Sequence, residues 1–261
     1  MFIKLTCAIV FMAVLGVAPR AFAQIVNVQS QIKDIPDGFS GAIEGEGEWK
    51  TGSTKLIEGG AALRLAYRHE DDLLFGIVKG KYGKLYNTEP DTVIASRTFG
   101  HIRYRHTLSC WLIGEAFVQN ETDRFRRLAT RTLLGGGGRF ILVENEKYDA
   151  YSGAAYMFEY EHLRDDSELD AGQTQYNHRG SFYFVGNLNL SKTAQASGST
   201  YVQPKLTAPS DYRVLVEASL KSALAKNFAL KTGFTLVYDT APPASLPRFD
   251  TGLETSVEYT F

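Results

Sequence analysis

The chain has 261 residues, of which 22% are charged and 12% aromatic, and its net charge at pH 7 is −1. A net charge this close to zero argues against a nucleic-acid partner. Of the two cysteines, Cys7 lies in the predicted export signal, so Cys110 remains alone and no internal disulfide is expected. Cys110 has no evident activating neighbours, and we expect it to be a small buried residue.

The first residues have the features of a bacterial signal peptide. Lys4 provides a positive start, residues 5–18 form an apolar run, and an A-x-A-like cleavage site precedes Gln24. The run is too short for a bilayer-spanning helix, which needs about 20 residues. We therefore expect cleavage of residues 1–23. Residues 24–38 are polar and end in a Pro-Asp-Gly turn signal, which indicates a periplasmic N-terminal lead.

The remainder of the chain, residues 39–261, alternates apolar and polar side chains with the period of β-strands. The segments are near the length that a tilted strand needs to cross a bilayer. Without spanning helices, a membrane protein must be a closed barrel, because lipid cannot satisfy free backbone groups. The sequence thus predicts an all-β, transmembrane, antiparallel up-and-down barrel. Its twelve strands are expected at residues 39–50, 55–68, 73–86, 94–106, 110–122, 128–141, 149–163, 176–191, 198–207, 211–223, 227–239 and 252–261.

The alternation also predicts which face of each strand meets lipid. In the eleventh segment Leu230, Phe234 and Leu236 oppose Lys231. The export signal and the aromatic terminus favour an apolar outer face, since Arg or Lys on the lipid face costs about 2–4 kcal/mol at the midplane. The lumen-facing charge candidates are Glu44, Glu46, Glu48, Glu58, Arg64, Arg68, Arg103, Arg105, Glu115, Arg213, Glu217, Lys221, Lys231, Glu254 and Glu258.

Two roles for these lumen charges stay open. They form an ion-selective path, or they pair with one another and plug a lumen narrower than that of a 16–18-stranded porin. We favour structural pairing, because buried charges are tolerated only when they are paired.

Connection lengths predict the orientation of the barrel. One set of connections is short, whereas the other includes the longer stretches 87–93, 164–175 and 240–251. Short periplasmic turns and longer outer loops are the rule for outer-membrane barrels. Both termini are therefore expected in the periplasm.

The final strand places Tyr259 and Phe261 on its apolar face and ends in an aromatic carboxyl terminus. This ending resembles the assembly signal of bacterial outer-membrane barrels. The resemblance implies that the barrel-assembly machinery is a partner through this strand. Outer-membrane lipids and lipopolysaccharide are expected around the wall, and the protein is expected to be a monomer.

Two stretches, 115–138 and 201–261, carry a family resemblance. The residues that match are Asp123-Arg124-Phe125, Arg131, the glycines at 135–138, Tyr201, Pro204, Ser210-Asp211-Tyr212-Arg213, Tyr238-Asp239, Pro242-Pro243 and Glu258-Tyr259-Thr260-Phe261. In these residues the chain resembles the DUF481 family, salt-induced-type outer-membrane proteins of unknown function. The four consecutive glycines depart from the looser glycine alternation of that family. The resemblance implies an outer-membrane barrel and supplies no catalytic, cofactor-binding or metal-binding residue.

Three motifs have competing interpretations. The glycine run 135–138 lacks the helix and Lys-Ser/Thr pair of a phosphate loop, so a bend or close backbone approach is favoured. His101 and His106, with Ser96 or Ser109, are the candidates for a hydrolase site, although no spacing singles them out. The acidic loop 165–170 does not match a calcium loop and is expected to be solvated.

The function predicted from these observations is an envelope-related or stress-related outer-membrane barrel, or one with a narrow solute path. It has no expected cofactor. Two alternatives are a lipid-modifying outer-membrane hydrolase and a secreted soluble barrel that binds a small apolar ligand.

Overall fold

A computed structural model describes residues 35–52, 55–86 and 91–261 and shows a closed antiparallel β-barrel. Each strand pairs with its sequence neighbours, and β12 closes the barrel on β1, so the topology is up-and-down. In the described residues no helix is long and apolar enough to cross a membrane. The strands are β1 (Gly38–Lys50), β2 (Leu56–His69), β3 (Asp72–Leu85), β4 (Thr92–Ser109), β5 (Leu112–Asp123), β6 (Leu128–Glu144), β7 (Tyr148–Leu163), β8 (Thr174–Asn189), β9 (Ala194–Lys205), β10 (Ala208–Ala223), β11 (Phe228–Asp239) and β12 (Phe249–Thr260).

The twelve-strand prediction is confirmed, and the differences lie at strand ends. The largest is in β9, which begins at Ala194, whereas the sequence predicted a start at residue 198. Residues 194–197 are small or polar and show no apolar alternation, yet they pair with β10, where Ser197 lies opposite Ser219. Pairing with β10 extends β9 here, although the local sequence has no alternating pattern.

Most large apolar side chains of the wall face outward. Leu230 is 37% exposed and Phe234 39% exposed, whereas Glu44 is 8% exposed and Arg213 6% exposed. In a barrel surrounded by water this distribution would be unfavourable, because large contiguous apolar surfaces avoid water. In hydrocarbon it is the stable arrangement.

The inner face is not uniformly polar, which the alternation did not predict. Two apolar clusters lie inside. Ala66, Leu73, Phe75, Ile77 and Phe99 form one, and Tyr183, Val185, Tyr201, Leu215 and Val237 form the other.

The end of the predicted N-terminal lead contacts the barrel. Ile35 packs against the first apolar cluster. Residues 35–38 are thus not a free tail, since an inward cluster holds their first residue. The predicted signal peptide and residues 24–34 lie outside the described part of the chain.

The glycine run 135–138 stays paired with both neighbouring strands without a register shift. A Cβ on Gly135 would lie 2.4 Å from Cζ of Phe117, and one on Gly137 would lie 2.1 Å from the carbonyl oxygen of Ala154. The glycines therefore allow close approach of a ring and of the β7 backbone, as the strand interpretation expected.

The connections differ between the two ends of the barrel. At the end that carries the termini they are residues 70–71, 110–111, 145–147, 190–193 and 224–227. At the opposite end, the loop end, they are 51–55, 86–91, 124–127, 164–173, 206–207 and 240–248. The loop end holds the longest connections, so the expected orientation stays a prediction consistent with this asymmetry.

Cys110 lies in the turn between β4 and β5 and is exposed. The expectation of a buried residue is wrong, because β4 ends at Ser109 and β5 begins only at Leu112.

Candidate functional site

The interior of the barrel contains a group of charged side chains centred on Glu159 of β7. Glu159 is 0% exposed and receives three arginines. Arg131 Nε lies 3.0 Å from its Oε2, Arg213 Nη1 lies 2.6 Å from the same oxygen, and Arg179 Nε lies 3.1 Å from Oε1. Asn177 adds a hydrogen bond to Oε1 at 3.0 Å. We call Glu159 and the three arginines the arginine core.

Each arginine of the core binds a second carboxylate, so the three cations are shared among several strands. The planar guanidinium suits this role, because it donates in several fixed directions. Pairing of this kind is what makes buried charge tolerable. The further pairs are Arg213 with Glu161 (3.0 Å) and Asp239 (2.8 Å), Arg131 with Glu121 (3.0 Å), and Arg179 with Asp211 (3.0 Å).

A second buried group surrounds Glu115 of β5. Arg103 Nη1 lies 2.9 Å and Arg105 Nε 2.7 Å from its two carboxylate oxygens, and the Tyr183 hydroxyl donates to Oε2 at 2.6 Å. Tyr183 belongs to β8, so this hydrogen bond links β5 to β8. The Tyr183 ring lies against Gly153, where a Cβ would be 2.1 Å from Cζ.

The remaining part of the interior, along β1–β4 and β10–β12, is bound mainly by lysines. Lysine is a compact, strongly hydrated charge on a flexible stem, whereas arginine presents a rigid planar fork. The pairs are Lys231 with Glu44 (3.1 Å), Arg64 with Glu44 (3.2 Å) and with Glu258, Lys221 with Glu258 (2.5 Å), Lys81 with Glu46 (3.1 Å), Glu58 (2.9 Å) and Glu254 (3.4 Å), and Arg97 with Glu254 (2.5 Å).

A cavity of about 140 Å³ lies on this lysine side. Gly60 and Ala62 on β2, opposite Lys81 and Lys79 on β3, line it. Residues of β10, β11 and β12 complete the lining. Guanidinium groups thus pack the interior on the arginine side, whereas a cavity remains on the lysine side.

Most predicted lumen charges lie on the inner face in buried or half-buried positions. Glu48 differs, since its side chain is 47% exposed and pairs with Lys50 at 2.5 Å near the loop end. The inward positions are Glu44, Glu46, Glu58, Arg64, Arg68, Arg103, Arg105, Glu115, Arg213, Glu217, Lys221, Lys231, Glu254 and Glu258.

Sequence reasoning missed most of the arginine core. Glu159, Arg131 and Arg179 were not among the candidates, although each alternates with outward residues in a predicted strand. In β7, Tyr156 and Tyr160 point outward while Glu159 points inward. The alternation of β6, β7 and β8 contained this signal, but no lumen-facing charge was predicted in these three strands.

The histidines proposed for a hydrolase site lie on opposite faces. His101 is buried, and its Nδ1 lies 3.2 Å from Gln119 Oε1, while Arg103 Nε donates to its Nε2 at 3.3 Å. His106 is exposed and bonds Asp72 at 2.8 Å. Among the residues that the structure describes, neither ring hydrogen-bonds a serine, so the geometry does not assemble a nucleophile and base around His101 or His106.

The acidic loop is bound by an arginine. Arg127 Nε and Nη2 donate to Asp166 at 2.7 and 2.6 Å, and its Nη1 binds Asp170 and the Ala244 carbonyl. The Ala244 N–H donates to Asp170 at 2.7 Å. We call these four residues the loop clip, because they join three connections at the loop end.

The loop clip explains why its carboxylates are not free to bind calcium. Hydrogen bonds from Arg127 hold the pKa of Asp166 below its usual value. Burial alone would raise the pKa of Asp170, but hydrogen bonds from Ala244 and Arg127 lower it. Across the described residues, no group of three His, Cys, Asp or Glu side chains is placed to hold a metal ion.

A family comparison agrees with this architecture. The family described as "Protein of unknown function, DUF481" matches residues 47–261. The chain belongs to the DUF481 family. The predicted family is therefore confirmed, and no curated protein matches the chain.

Three solved structures with similar folds are outer-membrane barrels. A Pseudomonas putida F1 outer membrane channel has a TM-score of 0.54 and 11% identity, covering 87% of this chain and 97% of its own. The NanC porin has a TM-score of 0.51 and 8% identity, and the match covers 84% of this chain and 98% of the porin. The translocator domain of autotransporter NalP from Neisseria meningitidis has a TM-score of 0.50 and 12% identity, and the match covers 90% of this chain and 92% of that domain. At these identities the likeness shows the fold.

Proposed function

We propose that the protein is an outer-membrane barrel that provides a narrow path for small solutes along the lysine side of its lumen. The arginine core acts as structural filling, and no catalytic residue is assigned. The DUF481 family, the fold shared with outer-membrane barrels and the apolar outer face support this proposal.

The observation that carries the proposal is the division of the lumen. On the arginine side, Glu159 and its three arginines leave no exposed surface on the central carboxylate. On the lysine side a cavity of about 140 Å³ remains among charged groups that can hold water. In this proposal small solutes pass beside the lysines, and molecules of sugar size are excluded.

The proposal includes a topology and an assembly route. Residues 1–23 direct export and are cleaved, both termini face the periplasm, and Tyr259 with Phe261 engages the barrel-assembly machinery. Lipids and lipopolysaccharide contact the outer face of a monomer. The names of the similar structures, a porin and an outer membrane channel, add support for passage by analogy.

Planar-bilayer recording combined with liposome swelling tests this function. We expect a small ionic current from the folded protein and no swelling with disaccharides in the bath. Heat-modifiable gel mobility of the same preparation shows that the barrel is folded. Absence of current from folded protein would overturn the path, and disaccharide entry would contradict the filled arginine side.

A further inference from the structure

Two cationic side chains that line the cavity, Lys79 and Arg126, have N–H donors without a hydrogen-bond acceptor among the described residues. In residues 35–52, 55–86 and 91–261 neither the Lys79 ammonium nor the Arg126 guanidinium has a hydrogen-bond or ion-pair partner. By contrast, Lys81, Arg97 and Lys231, which also line the cavity, are bound to carboxylates. Both side chains are half-buried, and withdrawing a charge from water without a partner is costly, so these two positions favour an external anion.

Strand register places Lys79 at the centre of the inner wall. It lies opposite Ala62 on β2 and Phe99 on β4, and Phe99 in turn lies opposite Glu121 on β5. Arg126 belongs to the turn that follows β5 and lines the loop-end side of the same cavity. The two cations therefore approach the cavity from the wall and from its loop-end rim.

Four carboxylates lie near these cations, Glu44 and Glu217 near Lys79 and Glu121 and Asp123 near Arg126, and each also interacts with other groups. Glu44, which interacts electrostatically with Lys79, is bound by Lys231 and Arg64. Glu121, which interacts with Arg126, is bound by Arg131. These acidic neighbours reduce the positive potential, so the cavity suits a single negative charge better than a dianion.

We propose that the cavity binds a small monocarboxylate with a short apolar body, through Lys79 and Arg126. The carboxylate accepts hydrogen bonds from both cations, which are the strong, charge-assisted kind. The apolar body lies against Ala62, Phe99 and Leu128, which also line the cavity. The inference names the solute class of the path proposed above and rests on that function for its physiological role.

Saturation-transfer NMR on the detergent-solubilised full chain tests the site, with butyrate as the probe and butyramide as its uncharged analogue. The charge variants are Lys79→Gln and Arg126→Gln, and Ala62→Leu fills the space without changing charge. Arg124→Gln, in the same turn but exposed, and Lys226→Gln, exposed in a terminal-end turn, are the matched controls. Heat-modifiable mobility shows that each variant is folded.

We expect saturable butyrate binding to the unaltered chain and none of butyramide. Each charge variant should weaken binding about tenfold or more, as the loss of a charge-assisted hydrogen bond does. Ala62→Leu should abolish binding, and the two controls should bind normally. Equal binding by Lys79→Gln and Arg126→Gln, or no butyrate binding at all, would overturn the site. Because binding is measured without current, its failure is distinguishable from failure of the path, which bilayer recording reports.

Discussion

The arginine side and the lysine side of the lumen both pair inward charges, but they differ in how much space those charges leave. On the arginine side, three guanidinium groups share Glu159 and each reaches a further carboxylate. On the lysine side, Lys81 and Lys231 bind carboxylates beside small residues such as Ala62, and a cavity remains. The comparison shows that buried charge alone does not fill a barrel. The volume of the neighbouring inward residues decides whether space is left.

The largest expected effect is loss of the central carboxylate on the arginine side. Glu159→Gln leaves three buried arginines short of negative charge. Breaking a buried pair in this way costs about 3–5 kcal/mol. Urea unfolding followed by heat-modifiable gel mobility should show a much lower midpoint than in the unaltered chain.

The control for this change is Glu48→Gln, because Glu48 is exposed near the loop end. Loss of such a surface pair costs less than about 1 kcal/mol. Equal unfolding midpoints for the two variants would show that the arginine core does not hold the barrel together.

A smaller effect is expected from crowding the link between Glu115 and Tyr183. In Gly153→Ala the new Cβ would lie 2.1 Å from Tyr183 Cζ, so the ring must move and its hydrogen bond to Glu115 is strained. Overpacking of this kind costs about 1–3 kcal/mol, measurable by urea unfolding. Gly233→Ala is the control, because no atom lies within 4 Å of its Cβ position. Equal destabilisation by both variants would remove the packing role of Gly153.

Ile35 tests how the terminal end of the lumen is closed. Ile35→Ser removes part of an apolar contact worth about 1 kcal/mol for a half-buried side chain. We expect little change in unfolding but a larger current in planar bilayers, because Ile35 packs against an apolar cluster on the inner face. Asp37→Asn, at an exposed position in the same segment, should leave the current unchanged. A current equal to that of the unaltered chain would show that Ile35 does not obstruct the mouth.

The smallest expected effect concerns the loop clip. Because the folded pKa values of Asp166 and Asp170 lie below the usual 3.8, the clip contributes fully above pH 3.8. It is lost as pH falls through the lower folded values. Hydrogen exchange of residues 164–173, corrected for its intrinsic pH dependence, should stay slow at pH 5–8 and accelerate only below pH 3.8.

A substitution sharpens this test. Arg127→Gln should accelerate exchange of the loop severalfold at pH 7, where the clip is intact. Arg124→Gln, three positions earlier and exposed, should not. Loss of protection near pH 6, or no effect of Arg127→Gln, would contradict the clip.

The strands and the outward face were predictable because alternation is local. The outward position of Leu230 and Phe234 follows from their alternation with the neighbouring residues of the same strand. The partners of the charges were not predictable in the same way. Arg213 meets Glu159 across several strands, and only the closure and stagger of the barrel bring them together.

The loop contacts were hidden for a similar reason. Arg127 and Asp166 are 39 positions apart in sequence and lie in different connections. The acidic loop had a visible composition but no local sign of its partner. Ile35 had no alternating neighbours at all, and its packing depends on a lumen that exists only after the barrel has closed.

The seam between the first and last strands has a particular consequence for how the wall holds. Backbone pairing of β1 with β12 runs only from Ala42 opposite Thr260 to Gly45 opposite Val257, with Gly41 and Phe261 exchanging hydrogen bonds beyond it. Toward the loop end, Lys81 takes over by binding Glu46 of β1 and Glu254 of β12. At this edge ion pairs, and not backbone hydrogen bonds, join β1 to β12. Salt screens ion pairs, so we expect high ionic strength to weaken this part of the seam before the backbone-paired part.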